Sequence, residues 1–292
     1  MTSRLLIDGP SLIYRAFFAI PKTITDPHGQ PVNAVRGFLD MIGQLMTDHR
    51  PGEVIAVVDA DWRPAFRVAA YPGFKANRPE EPAELTPQLE MIDLALDAAG
   101  IVRAEATGLE ADDVIATLTA RTSGADRDAI VTGDRDLLSL VRDPNVRLLF
   151  TVKGVRELKV FDEAEVRSSY GIPPQAYADF ATLRGDPSDE LPGVRGIGPK
   201  IAADLLARFG SLDNLMDNLD SVPAQLSSRL RAATDYLEAM KIVVPLITDA
   251  DVTVTAPHPP DRERLAAMGK ERNLTGAVTR LLSAFDRNGP AA

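Results

Sequence analysis

Three short apolar runs, each closing on or beside an aspartate, restrict what this chain can fold into. Leu5 to Asp8 reads Leu-Leu-Ile-Asp, Val54 to Asp59 finishes on Ala-Val-Val-Asp, and Ala129 to Thr132 runs straight into Gly133-Asp134. Runs this short, rich in Ile and Val and bounded by turn residues, read as strands buried on both faces. Between them, Val32 to His49, Leu85 to Ala99 and Leu109 to Thr122 carry apolar residues at three- and four-residue spacing, the pattern of helices packed on one side. The alternation predicts an α/β fold with a mostly parallel central sheet flanked by helices, extended by strands around Val146 to Phe150 and Glu157 to Phe161. In open parallel sheets ligands bind beyond the carboxyl ends of the strands, so Asp8, Asp59 and Asp134 are expected along one edge.

A lone aspartate after a strand is ordinarily a turn residue or helix cap. Here the carboxylates recur. Asp136 follows Asp134 by two residues, Asp186 and Asp189 share the turn sequence Arg-Gly-Asp-Pro-Ser-Asp-Glu-Leu-Pro-Gly, and Glu110, Asp112 and Asp113 open a predicted helix, where capping accounts for one of the three. Like charges gathered this closely repel unless cations neutralise them. The chain has no cysteine, and its three histidines, His28, His49 and His258, are scattered, so a metal must be held by oxygen. Magnesium or manganese fits such ligands; zinc ordinarily takes histidine or cysteine as well. Two hard ions about 4 Å apart in a carboxylate cage are a recurrent arrangement for in-line phosphodiester displacement, and they require no side-chain base. Exchanging one cage carboxylate for its amide, at Asp134 or Asp186, is expected to raise metal-free stability by relieving repulsion.

The formal charge of −10 does not exclude a nucleic-acid substrate, because setting aside nine carboxylates as a metal site leaves the remainder near neutrality. From Trp62 to Arg78 the chain has four basic residues, Arg63, Arg67, Lys75 and Arg78, and no acid. After about Gly171 the pattern turns to short helices joined by Gly- and Pro-containing turns, with little strand signal before Val252 to Val254. A proline-rich linker spans Ala256 to Pro260, and Asn288 to Ala292 should fray. No run approaches the roughly 18 apolar residues of a membrane span, and the start lacks a secretory pattern, so a cytoplasmic location is expected.

These residues resemble the flap endonuclease family of structure-specific 5′ nucleases, in particular the bacterial 5′-3′ exonuclease domain found at the amino end of DNA polymerase I. The likeness runs from about Leu5 to Val244 through five motifs in family order. They are Leu-Ile-Asp8-Gly, Val-Val-Asp59, Gly-Leu-Glu110-Ala-Asp112-Asp113-Val, Thr-Gly-Asp134-Arg-Asp136-Leu and Gly-Asp186-Pro-Ser-Asp189-Glu-Leu-Pro-Gly-Val, followed by Gly-Ile-Gly-Pro-Lys-Ile-Ala. The resemblance implies a PIN-like nuclease core over 1–171 with a helical arch near 62–90, and a mainly helical DNA-binding region over 172–292 containing a helix-three-turn-helix at 186–219. It implies that Asp8, Asp59, Glu110, Asp112 and Asp134 serve one metal ion and Asp136, Asp186 and Asp189 a second, with Asp113 between the groups. Lys75 and Arg78 are the candidate contacts to the scissile phosphate. Arg67, Tyr71 and Phe74 are further DNA contacts of the arch, although Tyr71 reads equally as a packing residue and Phe74 stands where the family often has tyrosine. Arg195, Gly196, Gly198, Lys200 and Arg208 would grip duplex DNA through its backbone, commonly with a bound potassium ion. Glu190 departs from the family's usual asparagine and reads either as a surface acid or as a widening of the cage.

The activity implied is 5′-3′ exonuclease and 5′ flap endonuclease hydrolysis of branched, flapped, nicked or gapped DNA, and of RNA primers, in lagging-strand replication and repair. Such an enzyme would act as a monomer, with a DNA polymerase or ligase as candidate partner. The length matches a nuclease module with no polymerase attached. Two other readings compete: a toxin-like ribonuclease, against which the helical second half speaks, and a noncatalytic DNA-binding scaffold, which would bind DNA more easily without nine carboxylates.

Overall fold

The computed structural model describes residues 4–288. A seven-stranded sheet runs through the molecule: β1 Arg4–Asp8, β2 Glu53–Val57, β3 Val102–Glu105, β4 Asp128–Thr132, β5 Val146–Thr151, β6 Leu158–Phe161 and β7 Thr253–Val254. Their order is β6-β5-β4-β1-β2-β3-β7, with the five central strands parallel and each edge strand antiparallel to its neighbour. The central strands are apolar on both faces because helices cover both. On one face Leu6, Ile55, Ile130 and Leu148 join a core that continues into the helical second half; on the other Leu5, Ile7, Ala56, Ala129 and Val131 join a second core.

The helices follow from the spacing noted above. They are α1 Gly9–Ala19, α2 Asn33–His49, α3 Ala65–Ala70, α4 Thr86–Ala99, α5 Ala111–Ala120, α6 Glu163–Tyr170, α7 Tyr177–Arg184, α8 Pro199–Phe209, α9 Leu212–Asp217, α10 Ala224–Ala232, α11 Thr234–Val243, α12 Arg262–Glu271 and α13 Thr275–Asn288. The stretch 62–90 carries α3, a run of turns and the start of α4. Strand β2 ends at Val57, so Asp59 lies two residues beyond it. Strand β3 has no counterpart in the sequence reading: its four residues, Val-Arg-Ala-Glu, are too few and too mixed to stand out. The fraying expected from Asn288 onward lies outside the described residues, save that Asn288 closes α13. Among the described residues no helix is long and apolar enough to cross a membrane.

The chain beyond β7 returns to its beginning. Leu265, Leu274, Ala277, Val278, Leu281 and Ala284 are buried in the same core as Val35, Phe38, Leu39 and Ile42 of α2. Gly43 makes the crossing close, since a side chain there would meet the Leu281 backbone at 3.3 Å. Arg280 adds hydrogen bonds of 2.8 and 2.9 Å to Asp40. The proline-rich stretch before α12 is extended, as its composition implies.

Candidate metal centre and nucleic-acid interface

Asp8 closes β1 and caps α1, accepting a hydrogen bond from the Ser11 N–H at 3.1 Å while its other oxygen takes the Thr132 hydroxyl at the end of β4. Asp59 accepts from the Ala111 N–H at 2.7 Å, holding the start of α5 against the end of β2. Asp134 follows the β4 turn and accepts from the Asp136 N–H at 2.9 Å. Asp8 and Asp134 therefore make the local cap or turn hydrogen bond that aspartate favours, whereas Asp59 bonds across to α5, and each still faces its neighbours' charge.

Burial is the first cause that raises the pKa values here, and mutual repulsion adds to it. Asp8 is pushed up to about 7, by burial and then by Asp134 and Asp59. Asp112 is raised well above the carboxylate range by burial, Asp134, Asp8 and Glu110. Asp136 is raised in the same way, by burial and then Asp134, Asp189 and Asp186. Asp59, Glu110 and Asp189 are also raised, burial leading in each. Eight carboxylates thus share one electrostatic neighbourhood at the carboxyl edge of the sheet. Asp8 feels Asp134 and Asp59, Asp112 feels Asp134, Asp8 and Glu110, and Asp136 feels Asp134, Asp189 and Asp186, while Glu110 and Asp189, both facing Lys75, act on each other across these groups.

Hard divalent cations suit this donor set. Every candidate ligand is an oxygen, and one Asp136 carboxylate oxygen is buried without a hydrogen-bond partner, an expensive state that a cation would relieve. Among the described residues no three carboxylates already crowd one point at metal-ligand spacing. Mutual repulsion keeps such groups apart, and retained waters let magnesium or manganese reach carboxylates at some distance.

Asp113 does not belong to the cage. Fully buried, it receives both Arg67 terminal nitrogens at 2.7 and 2.8 Å and the Ile247 N–H at 2.9 Å, and it completes the capping box of α5 with Glu110. Its oxygens are consumed by Arg67, Ile247 and the cap, and of the three acids only Asp112 takes no part in that capping box. Arg67 is corrected with it: only 2% exposed, it also donates to Glu110 at 2.6 Å and to the Val243 carbonyl at 2.9 Å, and cannot meet a strand arriving from solvent. Phe74 is likewise 2% exposed, packed with Leu191, Met240 and Val243, which removes it as a stacking platform. Tyr71 is half-buried, edge-on to Tyr236 at 6.1 Å between ring centroids.

Lys75 stays at the cage. Its ammonium pairs with Glu110 and lies 3.4 Å from Asp189. Burial alone would lower its pKa, but the charges of Asp189 and Glu110 outweigh that and hold it above the ordinary lysine range. Arg78 is exposed, its guanidinium 5.8 Å from the Trp62 ring centroid, at a cavity of about 320 Å³ that Tyr14, Trp62 and Asp59 also line. Arg195 and Lys200 are exposed around the start of α8, and Arg208 is exposed in its last turn. Gly198 caps that helix with nothing within 4 Å of where a side chain would begin, and Gly196, at φ 78°, packs on Arg229.

One basic residue escaped the sequence reading. Arg15 makes no ion pair or hydrogen bond among the described residues, and its buried Nε has no partner. It lies against Gly133, beside Asp134. The available signal was its place on α1, seven residues after Asp8.

The cage predicts a crossed stability pattern, and the structure moves its test. Asp186 accepts from the Ser188 N–H and hydroxyl and from Arg184 at 3.2 Å, so Asp186→Asn should lower metal-free stability, contrary to the expectation from sequence. Asp112 has no such bonds among the described residues, and its raised pKa means that its charge opposes folding near neutral pH. Asp112→Asn should therefore melt roughly 2–4 °C higher than the parent in chelator, about 1 kcal/mol, and gain less from manganese. A lower melting point in chelator would mean the carboxylate is structurally required.

Comparison with known proteins agrees with this geometry. A family model described as the 5′-3′ exonuclease N-terminal resolvase-like domain matches residues 3–171, and one described as the 5′-3′ exonuclease C-terminal SAM fold matches residues 172–263. A 5′-3′ exonuclease of Streptomyces coelicolor is 46% identical over 96% of this chain and 99% of its own. DNA polymerase I of Mycobacterium tuberculosis is 41% identical over 89% of this chain but only 28% of its own length. A crystal structure of the bacteriophage T5 flap endonuclease, a pseudo-enzyme-product complex with DNA and metal ions, superposes with a TM-score of 0.68, covering 97% of this chain and 99% of that one at 19% identity, a likeness of fold.

Proposed function

Given that this chain belongs to the 5′-3′ exonuclease family of metal-dependent 5′ nucleases, we propose that it cleaves flapped, nicked or gapped DNA, and RNA primers, near the 5′ end with two magnesium or manganese ions. The observation that carries this reading is the convergence of eight carboxylates from separate segments on one sheet edge, with Lys75 set among them. Asp8, Asp59, Glu110, Asp112 and Asp134 would hold one ion and Asp136, Asp186 and Asp189 the other, the division that the family motifs imply. Such ions supply Lewis-acid stabilisation of the reacting phosphate and activation of the attacking water.

The chain's own groups do the rest. Lys75, Arg78 and Arg15 bring positive charge to the phosphate being cleaved, while Arg195, Lys200, Arg208 and the open N-terminus of α8 between Gly196 and Lys200 grip a duplex phosphate, with potassium as a candidate aid. Backbone contacts position DNA without reading its sequence, so substrate choice falls to shape. Tyr71 remains a candidate contact at the edge of this path. In this reading residues 1–171 form the catalytic core, and the grip expected over 172–292 is confined to 172–252, because α12 and α13 pack into the core with α2. A monomer working beside a polymerase or ligase in the cytoplasm fits these roles.

A 5′-labelled flap, a nicked duplex and a single strand, each incubated with magnesium, manganese or chelator, test the proposal. Cleavage of the flap and the nick that chelator abolishes is expected; full activity in excess chelator would overturn it. The division of labour predicts that Lys75→Ala slows single-turnover cleavage roughly 10²-fold with little change in duplex affinity. Lys200→Ala should instead weaken binding and reduce the salt slope by about one. Identical profiles for the two variants would contradict it.

A further inference from the structure

The loop joining α7 to α8 carries Asp186 and Asp189 and is closed on itself. Asp186 and Leu191 exchange backbone hydrogen bonds of 2.9 and 2.8 Å, and Gly185 and Gly193 pass so near each other that a side chain begun on Gly185 would sit 2.8 Å from the Gly193 nitrogen and one on Gly193 2.4 Å from the Gly185 nitrogen. On this fixed loop Glu190 takes left-handed backbone geometry, φ 59°, a region that suits glycine and asparagine far better than glutamate. Its carboxylate faces away from the cage. Both oxygens accept from the Asn77 N–H, at 2.9 and 3.0 Å, and one accepts the Asn77 side-chain amide at 2.9 Å.

Two residues earlier Lys75 is also left-handed, at φ 49°, and its N–H reaches the Asp189 carbonyl at 3.2 Å. Arg63 secures the other side of the same turn, donating to the Phe74 carbonyl at 2.7 Å and the Pro72 carbonyl at 3.0 Å. Arg78 follows Asn77 directly, exposed, with its N–H reaching the Lys75 carbonyl at 3.4 Å. The bonds from Glu190 to Asn77 thus hold, from the Asp189 side, the turn that carries both Lys75 and Arg78.

We propose that Glu190 is a positioning residue for the hydrolysis: by clamping Asn77 to the loop of Asp186 and Asp189, it fixes Lys75 and Arg78 over the carboxylate cluster. The proposal rests on the reading that Lys75 and Arg78 act at the reacting phosphate. It replaces both earlier readings of Glu190, since oxygens engaged by Asn77 do not widen the cage and a surface acid would not hold an unfavourable backbone. Asparagine here would suit the backbone but is one methylene shorter and would not span to Asn77.

The test compares Glu190→Ala, Glu190→Gln and Glu190→Asn in the full chain, each alone and the alanine also combined with Lys75→Ala. Single-turnover rates are measured on a 5′ flap with magnesium, flap affinity and melting in chelator, and the Asn77 amide by hydrogen exchange. Glu190→Ala should lower the rate roughly 10-fold with affinity changed less than about twofold, and Asn77 should exchange faster. Glu190→Gln, which keeps one acceptor for the Asn77 N–H, should recover most of the rate. On the Lys75→Ala background Glu190→Ala should cost clearly less than it does alone, because only Arg78 is left for it to position. Glu190→Asn should melt higher than the parent and yet cleave as slowly as Glu190→Ala, a split that a merely structural residue would not give. Fully additive losses with Lys75→Ala, or a parental rate for Glu190→Ala, would overturn the proposal. Absence of cleavage by the unaltered chain would overturn the parent reading, and this one with it.

Discussion

Asp112→Ala and Asp134→Ala should each reduce single-turnover cleavage of a 5′ flap by at least about 10³-fold while leaving the melting temperature in chelator no lower than that of the parent. A thousandfold loss corresponds to about 4 kcal/mol of transition-state stabilisation, the scale expected when an ion that activates water and offsets phosphate charge loses its hold. Asp112 makes no hydrogen bond among the described residues that truncation would break, and Asp134 gives up only its bond to the Asp136 N–H at 2.9 Å. Repulsion falls in both variants, so the loss of activity should come without loss of fold. Rates in high manganese would separate weakened metal affinity from a lost catalytic arrangement. Less than a tenfold effect at both positions would mean that the carboxylate edge of the sheet is not the reaction centre.

Arg67→Ala should be the most destabilising single change at the site, costing about 3–5 kcal/mol, or roughly 6–15 °C in melting temperature. One guanidinium joins the start of α5, through Glu110 and Asp113, to the Val243 carbonyl at the end of α11 and the Pro245 carbonyl beyond it. Without it Asp113, wholly buried, keeps its charge and loses its counter-ion. Lysine should rescue little, because a single ammonium cannot reproduce a planar fork bonded on every edge. Melting in chelator by circular dichroism, with flap affinity measured alongside, separates the two readings of this residue. A parental melting temperature with a shallower salt slope would restore Arg67 as a DNA contact.

The contrast between these residues shows where a sequence is legible. Strand ends followed by aspartate are local facts, and the sheet's parallel order then carries Asp8, Asp59 and Asp134 to one edge by geometry. Arg67 was misread because an acid-free window describes only near neighbours, whereas its partners lie 43 and 46 residues away. Phe74 fails for the same reason: the apolar side chains that enclose it come from α11 and the loop before α8. Asp113 was grouped with the cage on spacing alone, although a capping box and an arginine had already taken its oxygens. Strand β3 became a strand through its neighbours, pairing with β2 on one side and β7 on the other. Glu190 stood out as a departure from the family pattern, but its partner Asn77, 113 residues earlier, could not be found without the fold.

The packing of α13 on α2 also has a bearing on how the protein is made. Roughly 230 residues separate the two helices, so at about 5–20 residues per second a ribosome needs about 10–45 s to deliver the second after finishing the first. Through that interval Val35, Phe38, Leu39 and Ile42 can gather their sheet and α1 neighbours, but the surface around Gly43 has nothing to meet. A nascent chain in this state carries an apolar groove shaped for a helix that does not yet exist, which makes it a client for chaperones and a seat for the α13 of another copy.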